Sequence, residues 1–224
     1  MDFLHQVADI FLHLDHHLQA VIGDYGGWTY AILAIIILCE TGLVVTPFLP
    51  GDSLLFAAGT LAALDPPPLS VWVLVPLLSA AAIAGDTLNY TIGKRLGPRV
   101  FRNENARFFK RAYLVRTQAF FERYGGKTIV LARFVPIVRT FAPFVAGIGK
   151  MTLGRFLAYN VTGGVLWVSI CVFAGFLFGN IPVVRENFSI AVLAVIFISL
   201  VPAIVEGTRH WLKQRSARAE RGEA

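Results

Sequence analysis

Long apolar stretches separated by short polar segments are the dominant pattern of this chain. The stretches lie at residues 28–64, 69–92, 128–149, 156–181 and 188–205. A helix needs about 20 apolar residues to cross the hydrocarbon core of a bilayer. Residues 3–22 differ, because their large apolar side chains recur near one face of a helix, which predicts an amphipathic helix at the membrane surface. The pattern predicts an all-α integral membrane protein.

The first apolar stretch contains acids and helix breakers where a spanning helix would be uniformly apolar. Glu40 and Asp52 interrupt it, together with Pro47 and Pro50. Proline removes a backbone donor and disrupts a helix interior, and irregular backbone survives at membrane depth only where protein or water covers it. Residues 28–39 by themselves are too short to span. We therefore expect a proline-broken helical hairpin that enters and leaves the membrane from the outer face.

Basic residues are confined to two regions of the chain. The first 93 residues contain eight acids and no lysine or arginine, whereas residues 94–127 contain ten basic residues and the tail at 209–221 contains five. Short basic segments stay on the cytoplasmic side of a membrane, so both regions are predicted to be cytoplasmic. In a chain that is 56% hydrophobic and only 15% charged, topology explains this asymmetry better than nucleic-acid binding does. We expect no nucleic-acid partner.

The third apolar stretch, residues 128–149, is predicted to enter the membrane and return. If residues 94–127 and the tail are both cytoplasmic, an even number of crossings must separate them, yet three apolar stretches do. The stretch at 128–149 is the exception because it carries two arginines and two prolines, Arg133, Arg139, Pro136 and Pro143. Each hairpin would then be followed by a spanning helix, at residues 69–92 and 156–181.

The two hairpins resemble each other in sequence. A common order of short matches indicates an internal repeat, and the opposite entry faces make it an inverted one, as in many transporters. The matching pairs are DYGGWT at 24–29 with RYGGKT at 123–128, Glu40-Thr41 with Arg139-Thr140, and TPFLPG at 46–51 with APFVAG at 142–147.

The whole chain is interpreted as a single membrane domain, residues 1–224. Its predicted parts are a first half-repeat with the N-terminal amphipathic helix at 1–93, a basic amphipathic segment and second half-repeat at 94–181, an extra C-terminal spanning helix at 188–206, and a basic cytoplasmic tail at 207–224.

Four ionisable side chains lie inside the predicted hairpins: Glu40, Asp52, Arg133 and Arg139. Each costs roughly 2.5 to 3.5 kcal/mol to insert, so they require partners, water or a function. One interpretation is a structural ion pair across the repeat, between Glu40 and Arg139. The other interpretation assigns one role to the arginines and another to the acids. The planar guanidinium groups of Arg133 and Arg139 suit an anionic headgroup, and Glu40 and Asp52, withdrawn from water, suit proton exchange.

Other function classes are weighed by the groups that they require. A membrane-embedded enzyme acting on lipid phosphates would need a nucleophile or a metal, but no histidine lies in the apolar stretches and no acid cluster has two-metal spacing. We expect neither an enzyme nor a bound cofactor or metal. A proton-coupled exchanger of small ions or drugs stays open, although two guanidinium groups argue against a cation path.

Three blocks resemble signature sequences of the DedA family of bacterial inner-membrane proteins, also called the SNARE-associated or VTT-domain family. The blocks are ETGLVVTPFLPGDSLLFAAG, GDTLNYTIGKRLG and RFVPIVRTFAPFVAG, and the similarity covers roughly residues 25–180. The resemblance implies paired re-entrant hairpins in the bacterial inner membrane.

For function, the DedA resemblance implies proton-motive-force-dependent translocation of an anionic lipid such as undecaprenyl phosphate, which supports cell-envelope homeostasis. Eukaryotic relatives are phospholipid scramblases, and that activity is the alternative. The family's functional acids match Glu40 and Asp52, and its functional arginines match Arg133 and Arg139. The expected partners are therefore the lipid, protons and the surrounding membrane lipids.

Overall fold

Helices joined by short turns make up the part of the chain that the computed structural model describes, residues 22–43, 51–100, 125–134 and 136–181. No strand occurs within these ranges, which confirms the all-α prediction for them. The helices are α1 (Thr29–Gly42), α2 (Gly51–Leu61), α3 (Val71–Val100), α4 (Lys127–Ala132), α5 (Pro136–Ile148) and α6 (Leu153–Gly179).

Several predicted parts lie outside the described residues. These are the amphipathic helix at 3–22 except its last residue, Pro47 and Pro50, most of the basic segment at 94–127, the spanning helix at 188–206, and the basic tail at 207–224.

Three helical segments are long and apolar enough to cross a membrane. They are Ile22–Gly42, Val71–Leu96 and Leu153–Gly179, with 21, 26 and 27 residues. Large apolar side chains also cover their outer surfaces; Trp72 is 82% exposed and Leu177 is 66% exposed. A surface of this kind is rare on soluble proteins and suits contact with lipid.

The segment that ends with α1 is longer than its apolar stretch suggested. Residues 28–39 were expected to be too short to span, but helical structure begins at Ile22 and continues through a 3₁₀ turn at Gly26–Trp28 into α1. The prediction was wrong in length because polar residues before Trp28 are helical although they break the apolar pattern.

The third apolar stretch forms two helices rather than one. Helix α4 ends at Ala132, Arg133 lies in a turn, and α5 begins at Pro136. Proline is well placed there, since the first residue of a helix needs no backbone donor. Pro143 lies inside α5 without ending it. The helix is therefore broken before Pro136, and Arg133 belongs to the break between α4 and α5.

Helices α1 and α2 belong to the first predicted hairpin. Contacts at the start of α1 and the end of α2 locate the open end of this pair of helices. The backbone N–H of Ser70, just before α3, donates to the Tyr30 hydroxyl near the start of α1 at 2.7 Å. At the end of α2, Thr60 packs against Gly179 at the end of α6. The start of α1 and the end of α2 thus lie beside the start of α3 and the end of α6.

The second hairpin opens beside the other ends of the long helices. Gly126, just before α4, lies against Tyr159 near the start of α6. At the end of α5, Gly147 packs against the backbone of Tyr90 and Lys94 in α3. The Tyr90 hydroxyl also donates to the carbonyl oxygen of Met151, in the turn after α5.

Short motifs of the predicted repeat make similar packing contacts, in a register that differs from the predicted alignment. Gly26 and Gly125, equivalent in the sequence repeat, both have left-handed φ angles of 53° and 66° just before a helical segment. Farther along, however, FAAG at 56–59 is the counterpart of FVAG at 144–147, eight residues beyond the expected match to TPFLPG. Each motif packs its glycine on a long helix and its phenylalanine backbone against a glycine of that helix, pairing Gly59 with Val172, Phe56 with Gly175, Gly147 with Tyr90, and Phe144 with Gly93.

Each predicted half-repeat therefore packs a short helix on a long helix of the other half-repeat. Helix α2 of the first half packs on α6 of the second half, and α5 of the second half packs on α3 of the first. The sequence alignment could not reveal this exchange, because glycine spacing is the same whichever helix the glycines face.

Gly175→Ala is expected to destabilise the fold, because an added Cβ would overlap the backbone of Phe56 in α2. Overpacking of this kind costs about 1–3 kcal/mol. Gly154→Ala in the same helix is the matched control, since nothing lies within 4 Å of its added Cβ. Thermal unfolding of the purified protein in detergent measures both, and equal transition temperatures would contradict the close α2–α6 packing.

Candidate functional site

Arg139 is at the centre of a buried charge cluster. On α5, its Nη1 donates to Asp52 Oδ1 of α2 at 2.7 Å, and its Nη2 donates to Glu40 Oε1 of α1. Exposure of the side chains is 7% for Arg139, 3% for Glu40 and 19% for Asp52. The predicted contact between Glu40 and Arg139 is confirmed, and Asp52 joins it.

Trp167 of α6 completes this cluster from the other side. Its indole Nε1 donates to Asp52 Oδ1 at 2.8 Å, and its ring centroid lies 4.7 Å from Arg139 Cζ. The ring therefore holds the guanidinium by a cation–π contact while its N–H orients an acid that binds the same guanidinium. Sequence reasoning did not assign Trp167 to the site. The feature of the sequence that could have indicated Trp167 was an aromatic side chain with a polar N–H, placed midway along an apolar helix.

The start of α2 is shaped around Glu40. The backbone N–H of Gly51 donates to Glu40 Oε1 at 3.1 Å. A Cβ at position 51 would overlap the Glu40 carboxylate, so only glycine allows this approach. Backbone donors in the first turn of a helix have no intrahelical partner, and Glu40 supplies one across the hairpin.

The Arg139 cluster contains more negative than positive charge. With both acids ionised, one guanidinium faces the carboxylates of Glu40 and Asp52, leaving one negative charge in excess. Glu40 Oε2 is buried and has no hydrogen-bond partner among the described residues. A buried excess charge is costly. The arrangement can be balanced by a proton on one acid, or rearranged by an anion that competes for Arg139.

Arg133 belongs to a second buried cluster. Its Nη2 donates to Asp86 Oδ2 of α3 and to the side-chain oxygen of Asn160 on α6. Asn160 Nδ2 in turn donates to the carbonyl of Ile83 at 3.0 Å and to Thr87 Oγ1 at 3.2 Å. These hydrogen bonds fix the break between α4 and α5 to the two long helices, α3 and α6.

The structure thus divides the four predicted charges between two clusters. Arg139 lies with Glu40 and Asp52, whereas Arg133 pairs with Asp86. Among the described residues, Arg133 Nε and Nη1 and Asp86 Oδ1 are buried without a hydrogen-bond partner. The unpartnered Nε and Nη1 leave Arg133 able to bind a further acceptor.

Asp86 and Asn160 were not among the predicted site residues. Asp86 is the ion-pair partner of Arg133. Its available signal was an acid well inside an apolar helix, and only the fold identifies its partner.

Both clusters lie near the middle of the long helices. Trp167 is 14 residues from the start of α6 and 12 residues from its end. Asp86 is likewise well inside the apolar segment Val71–Leu96. Glu40, by contrast, lies near the end of α1, so α1 ends beside the middle of α6.

Trp167→Phe is expected to lower the free energy of unfolding by about 1 kcal/mol, because it keeps the ring over Arg139 and removes one hydrogen bond to Asp52. Trp167→Leu removes both contacts and is expected to be more destabilising. Thermal unfolding in detergent ranks the variants. A Phe variant as unstable as the Leu variant would show that the cation–π contact contributes little.

Comparisons with known sequences identify related membrane proteins. The VTT domain model matches residues 49–177, more than half of the chain. The chain is 52% identical to Protein DedA of Escherichia coli K12 over 98% of its own length and 99% of that protein. It is 44% identical to an uncharacterized membrane protein of Mycobacterium tuberculosis strain H37Rv, over 87% of this chain and 86% of that protein.

Inner membrane protein YghB of Escherichia coli K12 is 32% identical over 90% of this chain and 93% of its own length. No solved structure matches the chain. Full-length similarity to these membrane proteins, the domain match and the three long apolar helices agree. The chain belongs to the DedA family of VTT-domain proteins and is a multi-pass inner-membrane protein.

Proposed function

We propose that this protein is a proton-motive-force-dependent flippase for an anionic lipid such as undecaprenyl phosphate, and that it supports cell-envelope homeostasis. Arg139 and Arg133 bind the phosphate, and Glu40 and Asp52 exchange the coupling proton. The proposal rests on family membership and on the chemistry of the two buried clusters.

The observation that carries the proposal is the charge imbalance around Arg139, where one guanidinium contacts two acids, the buried Glu40 and the half-buried Asp52. A phosphate that takes the N–H now bonded to Glu40 or Asp52 must displace that carboxylate. Protonation of Glu40 would weaken its contact with Arg139 and leave the site neutral before the anion arrives. Loss of that proton toward the other side would restore the acid–arginine contact and expel the phosphate.

Arg133 supplies a second place for the anion. Its Nε and Nη1 are buried and have no hydrogen-bond partner among the described residues. A guanidinium that already holds an acid through one nitrogen can offer the others to phosphate oxygens. The headgroup would pass between the two arginines.

The hairpin contacts support opposite routes of access. The first hairpin opens beside the start of α3 and the second beside its end, while Glu40 and Arg139 meet near the middle of α6. We propose that both hairpins are re-entrant, that they enter from opposite faces, and that residues 94–127 and the tail are cytoplasmic. A site between two such hairpins can be opened to either side.

Reconstitution into liposomes tests the function directly. Fluorescent undecaprenyl phosphate and an ordinary phospholipid are compared under an imposed pH gradient. We expect faster movement of the polyprenyl lipid than in empty vesicles, and acceleration by the gradient. Equal movement of both lipids without a gradient would favour a scramblase. Movement of neither lipid, with proton or ion flux instead, would favour an exchanger.

Glu40→Gln separates coupling from binding. It keeps the size of the side chain, cannot ionise, and is expected to make lipid movement independent of the pH gradient. Asp65→Asn, which changes an exposed acid in the turn before α3, is the control and is expected to respond like the wild type. A Glu40→Gln protein that still follows the gradient would exclude Glu40 as the coupling acid.

A further inference from the structure

Asn89 of α3 joins the two hairpins through one side-chain nitrogen. Its Nδ2 donates to the carbonyl oxygen of Thr41 at 3.2 Å and to that of Thr140 at 2.8 Å. The side chain is fully buried. Each carbonyl belongs to the residue directly after a member of the central ion pair, Glu40 in α1 and Arg139 in α5. Thr41 and Thr140 are also matched in the sequence repeat.

We propose that Asn89 is a positioning residue, a clamp that sets the contact between Glu40 and Arg139 by fastening the backbone beside each of them to α3. The proposal deepens the proposed function and rests on it. Asn89 touches neither charged side chain in the hydrogen bonds of the structure; it acts through the backbone of α1 and α5.

The chemistry of the carboxamide suits this place. One amide nitrogen carries two N–H groups that diverge, so it can serve two carbonyl acceptors at once. An aliphatic side chain of similar size offers none. Asn89 Oδ1 is buried without a partner among the described residues, so the donors are the part of this side chain that makes the observed contacts.

Close backbone contacts on either side of Asn89 hold α1 and α5 against α3. One turn before Asn89, Gly85 lies 3.4 Å from the position of a Cβ built on Gly42, so the end of α1 is pressed against α3. One turn after it, Gly93 receives the backbone of Phe144 in α5. The same face of α3 thus docks both hairpins, and Asn89 is the polar contact between the two glycines.

For an anion to enter between Glu40 and Arg139, α1 and α5 must move relative to each other. Such a movement requires at least one of the two Asn89 hydrogen bonds to break. The clamp therefore sets how readily the charge cluster opens. Its removal is expected to open the end of α1 to water and to slow transport through loss of alignment at the ion pair.

Native Cys39, half-buried in the last turn of α1, reports on this opening. In a Cys171→Ser background, its labelling rate with a water-soluble maleimide is compared among variants. Asn89→Leu is expected to speed labelling about threefold to twentyfold, the range expected for one interhelical hydrogen bond within a membrane protein. Lipid transport in liposomes is expected to fall by a similar factor or more.

Two further variants make the readout specific to the amide. Asn89→Gln keeps the donors and is expected to retain most of the protection of Cys39 and most of the transport. Thr91→Val removes a hydroxyl that donates within α3 to the carbonyl of Thr87, and it is expected to match the wild type in both assays. Asn89→Ser, which is smaller and avoids overpacking, replaces Asn89→Leu if the Leu variant does not fold.

Unchanged labelling in Asn89→Leu or Asn89→Ser overturns the clamp, and so does loss of transport in Asn89→Leu without faster labelling. Equal defects in Asn89→Gln and Asn89→Leu overturn the role of the amide donors. Labelling does not depend on transport. If the wild type moves no lipid while Cys39 labelling responds as expected, the flippase proposal fails and the clamp stands.

Discussion

Arg139→Ala is expected to abolish lipid transport and to lower the free energy of unfolding by about 3–5 kcal/mol, the usual effect of removing one partner from a buried ion pair. The variant leaves Glu40 and Asp52 facing each other without the guanidinium that both contact. It also removes the cation from the face of Trp167. Glu40 and Asp52 would then have to take up protons or admit water.

A charge-balanced variant separates the two effects of Arg139→Ala. Adding Glu40→Gln and Asp52→Asn neutralises the acids that were left unpaired, so thermal stability is expected to recover substantially. Transport is not expected to recover, because no guanidinium is left to bind phosphate at this cluster. Unfolding in detergent and lipid movement in liposomes are measured on the same preparations. Recovery of transport in the triple variant would show that Arg139 is structural.

Asp86→Ala is expected to be the second most disruptive substitution, with a loss of about 3–5 kcal/mol, because it leaves the Arg133 guanidinium buried without an acid. Arg133 is 2% exposed, so it cannot reach water without moving the break between α4 and α5. Asn160 would be its strongest remaining partner, and a neutral amide oxygen does not balance a cation.

The double variant Arg133→Met/Asp86→Leu is the matched comparison for Asp86→Ala. Replacing a buried ion pair by apolar residues of similar volume is often neutral or stabilising, so this protein is expected to unfold near the wild-type temperature. Lipid transport is expected to be lost, because Arg133→Met removes the guanidinium that would bind the headgroup. A stable double variant that transports at the wild-type rate would remove Arg133 from the substrate path.

Asp86 illustrates why sequence reasoning recovered only part of the site. The four predicted residues were recognisable because charge inside an apolar stretch is expensive wherever it occurs. Asp86 is equally expensive, but nothing in the chain indicates which arginine faces it, since the two are 47 residues apart. Trp167 was harder still, because an aromatic residue with one polar N–H in an apolar helix is a weak signal until that N–H has an observed acceptor.

The repeat shows the same limit for the fold. The DYGGWT and RYGGKT match was informative because the first glycine of each motif, Gly26 or Gly125, adopts the left-handed conformation. The later match was displaced by eight residues, because short motifs of glycine, proline and phenylalanine can be aligned in more than one register. Contacts of Gly59 and Gly147 with the long helices resolve the register.

The sequence by itself determined that this is a helical membrane protein and which residues would be costly inside it, because hydropathy and insertion energy depend on composition along the chain. It also offered the pairing of Glu40 with Arg139 as one of two interpretations, and the structure shows that contact. Only the tertiary structure decided how the charges are shared: two acids on Arg139, Asp86 on Arg133, and Asn89 between the hairpins. These contacts join residues far apart in the chain, and their geometry follows from which helix faces pack together.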